Sequence, residues 1–484
     1  MENYLQNNME EDNFNSQNAA PPAGDTEEKG GQEGAAADAE NNAKLFETKC
    51  TYAIFRPDGQ ISESGQTKIV LQEQQISLAP QSGKALSVNL HDITDSSVAD
   101  YKIMFYLATG AGVELSQLGY DFESFAKAFN KARNTILAEE LMMQEPTDKG
   151  KAECQVRRDG KDLGLCQIQF YEASLLVAPE HEPLFKVYYG DIDNFNVQDY
   201  VISLLLGNSK VEFSQLGEKL DYVSKIITEG LNALSLNMQQ QVKEMILGLD
   251  PLVARSLADL MRDGRAIAKG QVETVAPKAW EELEKFLASS GIKEEYDYLK
   301  GLANGQETYI GIKRTMIGSL AGQYVWFLVP LLENNAIALE AVSQEGAGRA
   351  TYFFRLVGRS EFAGKKESLP ALAKDLAGSI NNCLRAINFR REPIYLPEEK
   401  LKEPKYWKYR FAISNHPELK ILRALFIGRV MHRSDEGWRQ SVEELLKFNL
   451  GEKDDAKQWK ASDDTLEPES EPQENNPKQE DEKQ

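Results

Sequence analysis

Short runs of alternating hydrophobic and polar residues fill the chain from about residue 46 to residue 236. In the second half of this stretch the runs read AECQVR, LCQIQFY, SLLVAP, LFKVYYGDI, YVISLLL and KVEFSQL, separated by Gly, Asn, Pro or Asp. A period of two is typical of half-buried strands, and such breaks favour the turns of an antiparallel sheet. Asp-Gly at 58–59 and at 159–160 predicts tight hairpins, because glycine accepts a positive φ without steric cost.

The hydrophobic period changes after the last run of each half and becomes helical. One helix face is predicted for Phe122, Phe125, Ala126, Phe129 and Ile136, and another for Tyr222, Val223, Ile226, Ile227 and Leu234. We therefore expect each half to be a small curved sheet of six or seven strands. Its open mouth would be closed by the apolar stripe of one amphipathic helix.

The two halves also share sequence in the same order along the chain. VELSQLG starts at Val113 and VEFSQLG at Val211, while FRPDGQ, SLAP and HDITDSSVADY of the first half match VRRDGK, LVAP and GDIDNFNVQDY of the second. This pattern indicates a tandem duplication with units at 46–140 and 150–236. The repeated segment is predicted to be a last strand and the junction to its helix, with Gly119 and Gly217 turning the chain. A duplicated ligand loop is the alternative.

The second unit carries LFKVYYGDIDNFNV, the hairpin YVISLLLGNSKVEFSQLG and then its helix; the first carries ALSVNLHDITDSSV and YKIMFYLATGAGVELSQLG. In this order of elements the two units resemble the pleckstrin-homology-like superfold. The resemblance implies two tandem domains that bind a protein, a peptide or a lipid head group. In lipid-binding members, basic residues around the first hairpin grip phosphoinositides. Here Arg157, Arg158 and Lys161 surround that hairpin in the second unit, although the family's spaced basic run is absent.

Helical patterns follow over 237–303. Asp250 and Pro251 predict the start of a helix, and Arg255, Arg262, Arg265 and Lys269 form a basic stripe that we interpret as a solvated face. The β pattern returns over 304–450, with a long helix near 369–387, a helix from Leu419 to Met431 and another after Ser434. We expect a helical connector and then a third, separate α+β domain, because 304–450 matches neither unit residue by residue.

The segment Asn388–Phe411 is rich in proline and aromatic residues. Tyr395, Tyr406, Trp407 and Tyr409 suggest an extended arm across a domain. The arm is interpreted as a packed linker, with a partner-binding strap as the alternative.

Net charge is −21, and most of it lies in residues 1–45 and 451–484, which contain few aromatic residues. We predict that both ends are disordered acidic tails. A chain this acidic lacks the clustered basic face of a nucleic-acid-binding protein. The start of the sequence shows no secretory signal, and no hydrophobic run is long enough to span a bilayer, so we expect a cytoplasmic protein.

Cysteine and histidine are scarce, with four residues of each. No CxxC pair occurs, so we expect neither a metal site nor a cofactor. Cys154 and Cys166 flank the turn at 159–160 and are predicted to face each other across the hairpin. Two buried thiols suit a reducing compartment, and a regulatory disulfide is the alternative. We found no phosphate-binding loop, nucleophile elbow or metalloprotease motif, and hence no candidate catalytic residue.

Three function hypotheses follow. The first is a non-enzymatic cytosolic scaffold that binds a protein or peptide partner through its tandem units. The second is peripheral attachment to an anionic membrane through Arg157, Arg158 and Lys161, which the net charge opposes. The third is an enzyme with a site in 304–450, assembled from residues distant in sequence.

Overall fold

The computed structural model of the chain describes residues 43–107, 109–141, 149–315, 322–343, 349–387, 389–451 and 459. The predicted tails, 1–45 and 451–484, therefore lie outside the described residues except at 43–45, 451 and 459. Lys44 already belongs to the first strand.

The first unit is a seven-stranded antiparallel sheet followed by one helix. Its strands run in the order β4-β3-β2-β1-β7-β6-β5, which separates the chain-adjacent strands β4 and β5 to opposite ends of the sheet. The elements are β1 Lys44–Phe55, β2 Ile61–Gln72, β3 Gln75–Pro80, β4 Leu86–Asn89, β5 Ile93–Ala99, β6 Lys102–Leu107, β7 Gly112–Ser116 and α1 Phe122–Leu141.

The second unit has the same architecture. Its order, β11-β10-β9-β8-β14-β13-β12, repeats the first sheet strand for strand. The elements are β8 Gly150–Arg158, β9 Lys161–Phe170, β10 Ser174–Pro179, β11 Phe185–Tyr188, β12 Asn194–Gln198, β13 Val201–Leu206, β14 Ser209–Ser214 and α2 Leu220–Met245. The predicted α+β class, with two curved sheets each closed by a helix, is confirmed.

The junction that the repeated SQLG segment builds has two left-handed residues in each unit. Gln117 and Gly119 have φ of 55° and 61°, and Gln215 and Gly217 have φ of 58° and 55°. Glutamine is uncommon in this region, whereas glycine enters it freely. The repeated segment thus forms the same strand-to-helix turn in both units, and the predicted turns at Gly119 and Gly217 are confirmed.

The helices close their sheets through the predicted faces. Phe125 and Phe129 of α1 are fully buried in the first core, and Val223 and Ile227 of α2 are fully buried in the second. Such burial contributes on the order of 2 kcal/mol for each large apolar side chain.

Helix α1 also joins the two units. Leu176 and Leu184 of the second unit belong to the buried cluster of the first. The Asn134 amide, buried on α1, donates to the carbonyl oxygens of Pro179 and Glu182 and accepts the N–H of Leu184 at 2.9 Å. The segment 179–184 is therefore fixed from the first unit.

The rest of the described chain forms a third body, a six-stranded antiparallel sheet in the order β15-β16-β17-β18-β19-β20. Its elements are α3 Pro251–Leu260, β15 Ile267–Ala268, α4 Lys269–Val275, α5 Ala279–Ser289, α6 Lys293–Leu302, β16 Tyr309–Thr315, β17 Gly322–Leu331, β18 Ala336–Ser343, β19 Ala350–Arg355, α7 Arg359–Phe362, α8 Leu369–Ala386, α9 Glu392–Tyr395, α10 Glu398–Leu401, α11 Trp407–Asn415, α12 Pro417–Leu425, β20 Phe426–Met431 and α13 Asp435–Leu450.

Both faces of this sheet are covered by helices. Trp326 and Leu328 of β17 pack toward α8–α12, whereas Val325 and Phe327 pack toward α3–α6 and α13. A strand that is hydrophobic on both faces needs a layer on each side. The helices predicted as a connector over 237–303 supply one of these layers, and Ile267–Ala268 pairs with β16.

Two predicted helix caps are confirmed, and one predicted helix is wrong in part. Asp250 and Ser434 cap their helices as predicted, accepting N–H groups of the first turn. The helix predicted from Leu419 to Met431 is wrong in its second half, because it ends at Leu425 and the chain continues as β20, which pairs with β19.

The predicted extended arm at Asn388–Phe411 is instead a series of short helices. Tyr395, Tyr406 and Tyr409 are buried in the third body, so these rings are not exposed. They form a packed linker rather than an exposed strap, while Asn388 and the Trp407 side chain lie outside what the structure describes.

The outer strand β20 receives one residue from beyond α13. The N–H of Trp459 donates to the carbonyl oxygen of Ile427 at 2.7 Å, and the Trp459 side chain packs against the core on the α13 side.

Candidate functional site: a cleft between the second sheet and the third body

A cleft of about 930 Å³ lies between the second unit and the third body. One wall consists of the first hairpin of the second unit, the segment 182–184 and β11. The other wall consists of Arg265, the end of α8 at Asn382 and Ala386, and the start of α12 at His416–Glu418. We call this space the interdomain cleft. It is the size of a ligand site and lies where the second sheet meets the third body.

The hairpin places two of the three predicted basic residues on this cleft. Arg158 lies 4.5 Å above the ring of Phe185 and 3.8 Å from Asp159, while the Lys161 ammonium lies 2.5 Å from a carboxylate oxygen of Glu182. Arg157 is exposed, does not line the cleft and stands opposite Glu212 of β14. The hairpin therefore does not gather the three cations into one patch.

The hairpin turn itself follows the sequence prediction. Asp159 and Gly160 have φ of 52° and 81°. Asp159 accepts hydrogen bonds from the Ser209 hydroxyl and the Lys210 N–H, and these bonds, the latter first, lower its pKa. Opposite each other in β8 and β9 stand Cys154 and Cys166, as predicted, and both are buried free thiols.

Two arginines of the third body hold the second unit at the base of the cleft. Arg385 of α8, whose side chain is 1% exposed, lies 2.6 Å from Asp191. Arg262 lies 3.1 Å from Asp193 and donates to the carbonyl oxygen of Ile192 at 2.8 Å. The expected solvated basic stripe is therefore wrong for Arg262 and Arg265, because the turn after α3 brings them against the second sheet.

Arg265 differs from its two arginine neighbours. Its side chain is partly buried and lines the cleft, yet the guanidinium forms no hydrogen bond or ion pair with any described residue; the backbone N–H donates to the carbonyl oxygen of Arg262 at 3.1 Å. Burial lowers the pKa of Arg265, and the nearby Arg385 and Arg262 lower it further, against the opposing effect of Asp191 and Asp193. It is the least compensated cation of the cleft.

His416 precedes the first turn of α12 on the same wall. Burial lowers the pKa of His416 below its ordinary value; Glu418 opposes this effect and Lys186 adds to it. The neutral imidazole is therefore the favoured form in the folded protein. No sequence pattern indicates this environment, because His416 stands alone beside a proline.

In the first unit, the aspartate equivalent to Asp191 also contacts a helix of the third body. Helix α11 packs against β5 and α1, and Arg410 of α11 lies 2.6 Å from Asp92 and donates to the carbonyl oxygen of His91. Asp92 and Asp191 are equivalent positions of the repeat.

A second group of polar residues lies inside the third body. His432 stands between the carboxylates of Glu295 and Glu340, at 3.4 Å and 3.0 Å, and stacks on the ring of Trp438. Thr351 donates to Glu340 and accepts the indole N–H of Trp438. This network bonds mainly to itself and ties α6, α13 and β20 to the sheet.

Within the described residues, no three His, Cys, Asp or Glu side chains are grouped so that they could hold a metal ion. None of the helices in the described ranges combines the length and apolar character needed to cross a bilayer.

Comparisons with known proteins give little further information. No protein family matches the chain, and no curated protein matches it in sequence. A chain in the solved "Structure of the Spt16D Pob3N heterodimer" is 16% identical; the match covers 34% of this chain and 86% of that chain, with a TM-score of 0.15. A likeness at that TM-score does not establish a common fold. The fold and the site are defined by the topology and the contacts described above.

Proposed function

We propose that this chain is a non-enzymatic, cytosolic binding protein whose two pleckstrin-homology-like units are fixed on the third body, and that it holds a peptide segment of a protein partner in the interdomain cleft. The observation that supports this proposal is the cleft itself. It lies between two packed bodies and offers both apolar and charged groups.

The chemistry of the lining suits a peptide. Phe185, Leu184 and Pro417 offer apolar surface, whereas Glu418 and Arg265 offer charges of opposite sign. Most other charged groups of the lining are already paired: Lys161 with Glu182, Asp191 with Arg385 and Asp193 with Arg262. Arg265 and Glu418 can therefore contact a ligand without the loss of an existing ion pair.

The alternative of membrane attachment receives less support from the hairpin. Lys161 is engaged by Glu182 and Arg158 lies against Phe185 and Asp159, so a lipid head group would compete with contacts of the chain itself. An enzyme site in 304–450 is not favoured either, because Glu340, Thr351 and His432 bond to one another inside the third body.

The proposal is tested with peptides selected from a random display library against the full chain. Asn382 is an exposed lining residue of α8, and Asn382→Trp places a bulky ring in the cleft. Asp375→Trp adds the same ring about two turns away on the exposed face of the helix, outside the cleft.

We expect Asn382→Trp to weaken peptide binding about tenfold or more, measured by fluorescence anisotropy, and Asp375→Trp to leave it within about twofold. Failure to select any peptide, or peptides that bind both variants equally well, would overturn the proposal.

A further inference from the structure

We propose that Arg265 is the anchor for a carboxylate of the ligand, so that the peptide bound in the interdomain cleft carries an Asp or Glu side chain. This inference rests on the proposed function and adds the chemical class of its ligand.

The charges around Arg265 do not balance. Three guanidinium groups, those of Arg262, Arg265 and Arg385, are close enough to influence one another. Two carboxylates face them, and each is committed: Asp193 to Arg262 at 3.1 Å and Asp191 to Arg385 at 2.6 Å. One positive charge is therefore left without a partner, and it is the one on the cleft.

The unpaired charge of Arg265 has an energetic cost. A partly buried guanidinium without an oxyanion partner is poorly solvated and is repelled by its two arginine neighbours. Its planar set of donors matches a carboxylate and can hold it with two parallel hydrogen bonds. A ligand carboxylate would give the three arginines a third anion and would relieve the repulsion.

Glu418 is the acidic counterpart of Arg265 in the lining. Glu418 likewise forms no ion pair with a described residue, but it lies in the first turn of α12, where the helix dipole stabilises a carboxylate. Arg265 follows a 3-10 turn and has no such support. Binding of an anion at Arg265 is therefore expected to be more favourable than binding of a cation at Glu418.

The test uses a peptide selected on the full chain whose binding is lost in Asn382→Trp. Arg265→Gln removes the anchor, and Arg255→Gln removes the same charge from an exposed residue of α3 whose side chain forms no hydrogen bond or ion pair with a described residue. We expect Arg265→Gln to weaken binding about tenfold or more and Arg255→Gln to change it less than about twofold.

Each acid of the peptide is also replaced by its amide. One replacement should weaken binding to the wild type by a similar factor and have little further effect on Arg265→Gln, because the two changes remove the same interaction. Millimolar inorganic phosphate, at matched ionic strength, should change the peptide affinity by less than about twofold. Strong competition would show that the site prefers phosphate and would overturn the proposed carboxylate ligand.

Folding provides an independent readout. Because Arg265→Gln removes an unpaired charge, its Tm should equal or exceed that of the wild type; a clear decrease would show that Arg265 has a structural partner and would overturn the inference. If peptides bind in the cleft and Arg265→Gln does not change their affinity, Arg265 is not the anchor and the proposed function stands. If no peptide depends on the cleft, the proposed function itself fails.

Discussion

The carboxylate of Asp191 lies 2.6 Å from the guanidinium of Arg385, and Asp92 of the first unit, at the equivalent position, lies at the same distance from Arg410. The sequence around each aspartate, HDI and GDI, belongs to the repeat. The two arginines come from different helices of the third body, α8 and α11. Both units are therefore docked on that body through the same acid, although its partners do not belong to the repeat.

We expect Asp191→Asn to destabilise the protein more than Asp92→Asn. The Arg385 side chain is 1% exposed and would be left as an uncompensated buried charge, whereas Arg410 is 13% exposed. Losses of about 3 kcal/mol and about 1 kcal/mol are expected. Urea denaturation followed by tryptophan fluorescence measures them, and equal losses would contradict the difference in burial.

Two helical glycines should respond in opposite directions to alanine. A Cβ at Gly230 of α2 would overlap the buried ring of Tyr189, whereas a Cβ at Gly378 of α8 would meet nothing. Gly230→Ala should lower the free energy of unfolding by about 1–3 kcal/mol, and Gly378→Ala should raise it by about 0.5–1 kcal/mol. Thermal denaturation of both variants checks the signs, and a stabilised Gly230→Ala would refute the close packing of α2 on Tyr189.

The lowered pKa of His416 predicts a weakness in acid. Because the folded state favours the neutral imidazole, the stability it contributes is present above the unfolded pKa of about 6.5 and is lost as pH falls through the folded value. Between about pH 7 and pH 5, the Tm of the wild type should fall more than that of His416→Gln. Parallel curves for the two proteins would show that His416 does not contribute to this loss.

The thiols should be nearly inert in the folded protein. Burial raises the pKa of Cys154 and of Cys166 from 9.0 to about 12, which lowers the thiolate fraction near neutral pH by about a thousandfold. Iodoacetamide should leave both unmodified for as long as the urea-unfolded chain needs to react at all four cysteines. Mass spectrometry counts the adducts, and rapid labelling of the native protein at either position would contradict their burial.

A comparison of the units predicts a compensating pair of substitutions. In the first unit the buried Arg133 donates to Ser96 at 2.9 Å; in the second the equivalent positions hold Leu231 and Phe195, both packed on the core. Arg133→Leu alone should destabilise the protein by about 1–3 kcal/mol because it leaves buried Ser96 without that donor. Adding Ser96→Phe should recover part of the loss, and strictly additive losses in a double-mutant cycle would refute the equivalence.

Much of the fold follows from the sequence because its hydrophobic periods are local. The six strand segments identified in the second unit, the two closing helices, the hairpin turn and the pairing of Cys154 with Cys166 all depend on residues close in the chain. Strand β12 was not identified separately, because four of its five residues are exposed and give no alternation. Strand β20 was missed because Leu419, Leu422 and Leu425 set a helical period that ends where the strand begins.

The candidate site was less accessible to sequence reasoning, because it forms between distant segments. The sequence singles out Arg158 and Lys161, but their partners Phe185 and Glu182 come from the edge strand β11 and the segment just before it. Arg262 and Arg265 looked like a solvated stripe because Asp191 and Asp193 are about 70 residues away in the chain. Local pattern cannot show that an arginine lacks a partner; only the packed arrangement does.

The bond from Trp459 to Ile427 has a consequence for how the protein behaves at high concentration. An outermost strand with open carbonyl and amide groups can recruit the same strand of a neighbouring molecule and start an ordered aggregate. A bulky indole and one amide of the chain itself lie on that edge, so pairing between two such edges is sterically difficult. Trp459 would then serve as a guard against self-association.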